Sequence, residues 1–132
     1  MPLPTLKELK SESESLKQLL GWIMDENAGL KYRLSEVLKE KFDKIMLIKV
    51  EDYQSYFIQE DELIGLFRND IALLDKKILT IDLNDKKSIK LIDKKLKILR
   101  NNIATVQHKF SQLKVDFTNY LTSNSLNWKT AV

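Results

Sequence analysis

The sequence is short of the residues that interrupt helices and of those that build most catalytic and metal sites. Its 132 residues include no cysteine, two prolines, three glycines and one histidine. Without cysteine the chain can form no disulfide, thiolate metal site or cysteine nucleophile. Both prolines, Pro2 and Pro4, precede the first helical pattern, so nothing in the interior opposes long helices. The lack of cysteine also fits a reducing cytoplasm, where we expect the protein.

Long apolar runs are missing as well. The longest, Ile45 to Ile48, has four residues, whereas a helix that crosses a membrane needs about 20. The amino terminus lacks the basic flank and apolar core of a signal peptide. We therefore expect a soluble protein that does not act at a membrane. Hydrophobic residues still make up 43% of the chain, enough for one domain over residues 1–132.

The most regular feature of the chain is a series of apolar residues at alternating steps of three and four. This spacing is typical of a long helix in a coiled coil or bundle, and at about 1.5 Å per residue the helix is roughly 50 Å long. Its partners must be nearly as long. The apolar seam comprises Ile89, Ile92, Leu96, Leu99, Ile103, Val106, Phe110, Leu113, Phe117 and Tyr120.

Two further seams precede this one. Thr5 and Glu8 form a capping box that predicts the start of the first helix, and its leucine-rich seam keeps its phase across Gly29. The motif Asn27-Ala28-Gly29 also resembles a helix stop, so a break there is the alternative. The second seam runs from Tyr53 to Ile81, with Glu60 as a polar member, and Asp52 is a plausible cap before it.

These patterns predict an all-α fold, an elongated up-down antiparallel bundle with coiled-coil-like packing. The three long helices are expected at residues 5–49, 52–82 and 85–122, with connections at 49–52 and 79–85. A break in the first helix near Gly29 would make four. Residues 1–4 and 123–132 are expected to be flexible ends.

Several apolar residues fall outside the seams. Tyr56, Leu63, Leu66 and Leu73 widen the apolar sector of the second helix, which predicts that it lies between two neighbours. Leu91 and Ile98 indicate a further packed helix or, less often, an intermolecular surface. Trp22 is expected in the core, whereas Trp128 could dock on a partner or on its own bundle. Leu91, Ile98 and Trp128 are therefore the candidate interface residues.

Charge is unevenly distributed. Residues 51–82 carry three Lys/Arg against eight Asp/Glu, and residues 83–132 carry ten against three. The basic strip, which extends to Arg100, could bind nucleic acid or another polyanion, although no aromatic residue is interleaved for base stacking. Alternatively it complements Asp61, Asp70 and Asp75 on the adjacent helix. The strip comprises Lys86, Lys87, Lys90, Lys94 and Lys97.

No constellation of residues indicates catalysis. The single histidine, His108, excludes paired Glu-x-x-His di-iron sites, and no glycine-rich phosphate loop is present. His108 lies on the outward face of its helix, as in a histidine phosphotransfer domain, but the residues around it do not match that pattern. We therefore expect no cofactor, metal or small-molecule substrate.

The function predicted from the sequence is a non-enzymatic interaction or scaffold protein. Three unequal helices leave faces uncovered, and dimers are the commonest closed assembly, so we expect self-association as a homodimer or higher oligomer, or binding to another protein. Polyanion binding through the basic strip and phosphotransfer through His108 are the alternatives from other classes.

Overall fold

A computed structural model of the chain describes residues 2–40 and 44–124. Within these ranges the chain forms three helices, α1 (Leu6–Val37), α2 (Lys44–Thr80) and α3 (Lys86–Ser123), and no strand. Each helix contacts the other two. The predicted all-α bundle of three long helices is therefore confirmed.

The helices run up, down and up. Ser13, near the start of α1, contacts Asp75 near the end of α2, so these two helices are antiparallel. Glu12 of α1 pairs with Arg100 of α3, and Glu26 pairs with Lys114 further along both helices. α1 and α3 are consequently parallel, and α2 is antiparallel to both.

α1 is one continuous helix. At its start the Thr5 hydroxyl accepts a hydrogen bond from the Glu8 amide at 3.1 Å, and the Glu8 carboxylate accepts one from the Thr5 amide at 3.4 Å. This is the predicted capping box. The helix continues through Asn27 and Gly29 to Val37. The alternative with a break near Gly29 and a fourth helix is thus excluded.

The first connection lies earlier than predicted. α1 ends at Val37 and α2 begins at Lys44, so the expected break at 49–52 is wrong, and Asp52 lies inside α2 rather than capping it. The reason is that Val50 and Tyr53 are 0% and 6% exposed and extend the buried seam of α2 toward its start. The polar residues around them form the solvated side of the same helix.

The second connection was predicted correctly. In this turn the Asp82 carboxylate accepts from the Asn84 amide at 2.9 Å. Asp85 caps α3 by accepting from the Ser88 amide at 3.1 Å and from its hydroxyl at 2.6 Å. These hydrogen bonds from Ser88 lower the pKa of Asp85 below its usual range. α3 therefore begins close to the predicted position and ends at Ser123.

The core consists of the predicted seams. Leucine and isoleucine fill it along most of the bundle. Aromatic rings fill the end distant from the α2–α3 turn, where the Tyr53 and Phe117 ring centroids lie 5.1 Å apart, as do those of Phe57 and Phe117. The Tyr53 hydroxyl donates to the Asp116 carbonyl at 3.3 Å, and burial raises the pKa of Tyr53. Trp22, expected in the core, is instead 64% exposed, because it falls beside the seam residue Ile23 and off the buried side of α1.

Two similar polar clusters join α1 to α2. In the first, Asp75 accepts hydrogen bonds from Ser13 and Lys17. In the second, Asp61 accepts from Asn27 at 2.7 Å and from Lys31. All three members are displaced by 14 residues between the clusters, forward along α1 and backward along α2. The clusters thus repeat after two heptads, and both are satisfied only in one antiparallel register.

Opposing effects set the pKa of Asp75. Burial alone would raise it, but the hydrogen bonds from Lys17 and Ser13 and the charge of Lys17 outweigh burial and lower it. The hydrogen bond from Lys17 to Asp75 in turn raises the pKa of the lysine against the opposing effect of burial. The Asp75 cluster is consequently charged at neutral pH.

Two polar side chains in the seams are only partly satisfied. Asn27 is fully buried and donates to the Phe57 carbonyl at 3.0 Å, but its Oδ1 has no hydrogen-bond donor. Glu60 is 8% exposed, and its Oε2 also has no partner. Burial raises the pKa of Glu60, and the charge of Lys109 partly opposes that effect. A buried carboxylate without a partner destabilises the fold.

Candidate interaction surface

Six large apolar side chains are exposed on the side of the molecule formed by α2 and α3. We call this surface the α2–α3 face. Its members are between 37% and 60% exposed, and each lies outside the seam of its helix. Scattered exposed leucines are ordinary on protein surfaces, but a row along two neighbouring helices indicates a contact surface. The α2–α3 face comprises Tyr56, Leu63, Leu66, Leu73, Leu91 and Ile98.

α1 leaves this face uncovered because it packs on another side of the hairpin. On α2, Asp61 and Asp75 contact α1, and Arg68 donates to the Met24 sulfur at 3.4 Å. Residues three or four positions apart share a side of a helix, whereas Leu66 and Leu73 are offset from that row by two positions. They therefore lie away from α1.

Two shallow depressions mark the groove between α2 and α3. The first, of about 230 Å³, is lined by Leu73 of α2 and Ile98 of α3, together with Asp70, Lys95 and Asn102. The second, of about 410 Å³ and nearer the turn, has Lys77 and Ile81 on one side and Leu91 on the other. The groove thus has apolar walls with a few charged groups among them.

Two lysines of this groove lie against each other. The hydrogen bond and the positive charge of Lys95 lower the pKa of the exposed Lys77. Neither lysine forms an ion pair with a described residue, although Asp70 lines the same depression as Lys95. The groove therefore contains two adjacent cations that are not neutralised by a direct contact.

The expected charge pairing between α2 and α3 is wrong. Among the ion pairs of residues 2–40 and 44–124, those that join two helices all involve α1. Asp61 and Asp75 of α2 pair with lysines of α1, and Arg100 and Lys114 of α3 pair with glutamates of α1. α1 is adjacent to both other helices, and it forms ion pairs with acidic residues of α2 and with basic residues of α3.

The five lysines of the basic strip are all exposed. Lys97 pairs with Asp93 one turn earlier at 3.0 Å, and it lines a depression with Arg100 and Glu12 on the side of α1. Lys86, Lys87, Lys90 and Lys94 form no ion pair with the described residues. Lys94 is three residues after Leu91 and four before Ile98, so this part of the strip borders the apolar side chains of the groove.

The remaining sequence candidates are not brought into a common site. His108 is exposed on α3, beside a shallow depression that Ser111, Val115 and Asp116 also line. The described parts of the chain hold no group of three or more His, Cys, Asp or Glu side chains that could bind a metal. Trp128 lies outside the described residues. Of the three candidate interface residues, Leu91 and Ile98 are half exposed, at 50% and 49%.

Sequence reasoning missed the extent of this face. α2 does lie between two neighbours, as predicted, but Tyr56, Leu63, Leu66 and Leu73 remain exposed rather than buried between them. The spacing of these four residues in the sequence is the signal from which the exposed stripe could have been predicted. They follow one another at intervals of seven, three and seven, a second helical stripe beside the main seam.

Comparisons with known proteins give no further guidance. No family model, curated protein or solved structure matches the chain. Within residues 2–40 and 44–124, no helix has the length and apolar character that crossing a membrane requires.

Proposed function

We propose that this chain is a non-enzymatic interaction protein that associates with itself through the α2–α3 face. One observation carries the proposal, namely the row of six exposed apolar side chains along two adjacent helices. Covering apolar area contributes about 25 cal/mol per Å², which must exceed the entropy lost on association. A rigid bundle that presents such a row is suited to act as a scaffold.

Molar mass in solution tests this proposal. We expect light scattering after size exclusion to give twice the 15.5 kDa of the chain, at low and at high salt, because apolar contacts are not screened. Leu66→Asp should give a monomer, since it places a charge within the face. Gln18→Asp, on the exposed side of α1, is the matched control and should remain dimeric. A monomeric wild-type chain would contradict self-association.

Polyanion binding by the basic strip is the second candidate. It is favoured by Lys86, Lys87, Lys90 and Lys94, which are exposed and form no ion pair among the described residues. Binding through such lysines is electrostatic, so affinity for a duplex DNA should fall steeply with added salt. A fluorescence anisotropy titration at two salt concentrations is the measurement. Affinity unchanged in a variant with all four lysines replaced by glutamine would exclude the strip as the binding site.

A further inference from the structure

The positions of the exposed stripe of α2 are symmetric about its midpoint, between Ile64 and Gly65. Leu63 and Leu66 are equidistant from that point, and so are Tyr56 and Leu73. The same holds for the polar members, because Gln59 mirrors Asp70 and Asp52 mirrors Lys77. A surface with this symmetry is complementary to a copy of itself turned end over end, as a two-fold dimer contact requires.

We propose that two copies of this chain pair their α2 helices antiparallel, with the two-fold axis beside residues 64 and 65. The inference rests on the self-association proposed above and specifies its geometry. Leu63 then faces Leu66 of the second copy, and Tyr56 faces its Leu73. The matched stripe from Asp52 to Lys77, which lies wholly within α2, gives about 40 Å of helix-to-helix contact.

α3 completes the contact on each side. The second copy's Tyr56, opposite Leu73, enters the depression that Leu73 forms with Ile98. The second copy's Ile48 is opposite Ile81, which lines the other depression together with Leu91. Each α2 therefore lies in the α2–α3 groove of the other copy, and all six residues of the α2–α3 face are covered.

Charge distinguishes this arrangement from the parallel one. In the antiparallel dimer the second copy's Asp52 lies opposite Lys77, beside Lys95, where two cations have no direct counter-charge. Asp52 is exposed and forms no ion pair with the described residues of its own chain. A parallel pairing would instead place Asp52 against Asp52 and Lys77 against Lys77. Like charges in contact disfavour that pairing.

Engineered disulfides test the register directly, because the natural chain has no cysteine. Gln59 faces Asp70 of the second copy, so the double variant Gln59→Cys/Asp70→Cys should form a covalent dimer on mild oxidation. Within one chain the two positions are 11 residues apart, about 16 Å along the helix, too far for an internal disulfide. Each single variant is the matched control. Its one thiol lies about 16 Å from the same thiol of the second copy in the antiparallel dimer, so no disulfide should form.

Charge reversal gives an independent readout. Asp52→Lys and Lys77→Asp should each weaken the dimer about tenfold, through loss of attraction and added repulsion at two symmetric sites. The double variant Asp52→Lys/Lys77→Asp should recover part of the affinity, because the opposite charges face each other again. Asp25→Lys, at an exposed position of α1, should leave the dissociation constant unchanged. Circular dichroism checks that all variants stay helical.

The outcomes separate the two proposals. A chain that is dimeric by light scattering but yields no covalent dimer from the double cysteine variant overturns the antiparallel register and leaves self-association standing. A covalent dimer from Gln59→Cys alone would show the parallel arrangement and likewise overturn it. A monomeric wild-type chain overturns both proposals. Covalent dimer from the double variant alone, with partial recovery on charge exchange, is the supporting result.

Discussion

Glu60 is the residue whose chemistry fits its surroundings least. It occupies a seam position of α2, where it is 8% exposed and its Oε2 has no hydrogen-bond partner. Asn27, on the facing side of α1, also has an unpaired oxygen. A buried acceptor without a donor destabilises the core, whereas a proton on Glu60 would turn its carboxylate into a donor. The folded chain therefore holds a proton on Glu60 more tightly than the unfolded chain does.

The first prediction concerns the charge of Glu60. Glu60→Gln should raise the free energy of unfolding by about 1–2 kcal/mol at neutral pH, because the variant keeps the shape and removes a buried charge. Urea denaturation followed by circular dichroism is the measurement. Glu62→Gln, on the exposed side of the same helix, is the control and should change stability little.

The pH dependence of this effect has a definite sign. Burial raises the pKa of Glu60 above its ordinary value of 4.5, so the folded chain holds the proton more tightly than the unfolded chain. The stabilising contribution is complete below pH 4.5 and is lost as pH rises through the raised pKa. The advantage of Glu60→Gln should therefore be greatest at neutral pH and disappear in acid. A larger advantage in acid would contradict this explanation.

At the scale of the helix, the repeated polar clusters explain how α1 and α2 find their register. An apolar seam alone tolerates a shift by one heptad, because leucine would still face leucine. A shift would separate both Asp75 from Lys17 and Asp61 from Lys31, leaving polar groups unpaired. The repeat is visible in the sequence, as Glu-Ser-x-x-Leu-Lys at 12–17 and Glu-Asn-x-x-Leu-Lys at 26–31. Its pairing with Asp61 and Asp75 becomes apparent only when the helices are antiparallel.

Helical periodicity predicted most of the elements but not the first connection. The seams, the Thr5 cap and the turn before α3 follow from local spacing and capping chemistry. The break at 49–52 was inferred from a cluster of charged residues, but a solvated helical side has the same composition. Burial of Val50 and Tyr53 decides between the two, and burial depends on the other helices. Connections inside a continuous helical pattern are therefore predicted least well.

The second prediction tests the continuity of α1. Gly29 is helical, exposed and has no atom within 4 Å of where a Cβ would lie. Gly29→Ala should therefore raise the free energy of unfolding by about 0.5–1 kcal/mol, through the lower entropy of the unfolded alanine chain. Thermal unfolding of this variant and of Gly21→Ala, an equally open helical position, is the comparison. Destabilisation by Gly29→Ala alone would indicate a left-handed residue and a broken helix.

At the scale of the whole molecule, the α2–α3 face shows why a sequence alone does not identify the helix that covers an apolar stripe. The sequence identifies Leu63, Leu66 and Leu73 as a second apolar stripe, but a stripe looks the same whether a helix of its own chain or of another covers it. Each pair of helices forms a groove; ion pairs cross the two grooves that involve α1, whereas the α2–α3 groove has apolar walls. The opposite charges of Asp52 and Lys77 at the two ends of the stripe favour the second copy proposed above as the partner, because each charge meets its opposite in an antiparallel pair.

The third prediction follows from coupling between association and folding. If each copy covers the α2–α3 face of the other, the folded dimer is stabilised by mass action. The midpoint temperature of unfolding should then rise by several degrees over a roughly hundredfold increase in protein concentration. Differential scanning calorimetry of the wild type and of Leu66→Asp is the measurement. The variant should show no such rise, because we expect its folded state to be monomeric. A wild-type midpoint temperature that does not change with concentration would contradict the covering of the α2–α3 face by a second copy.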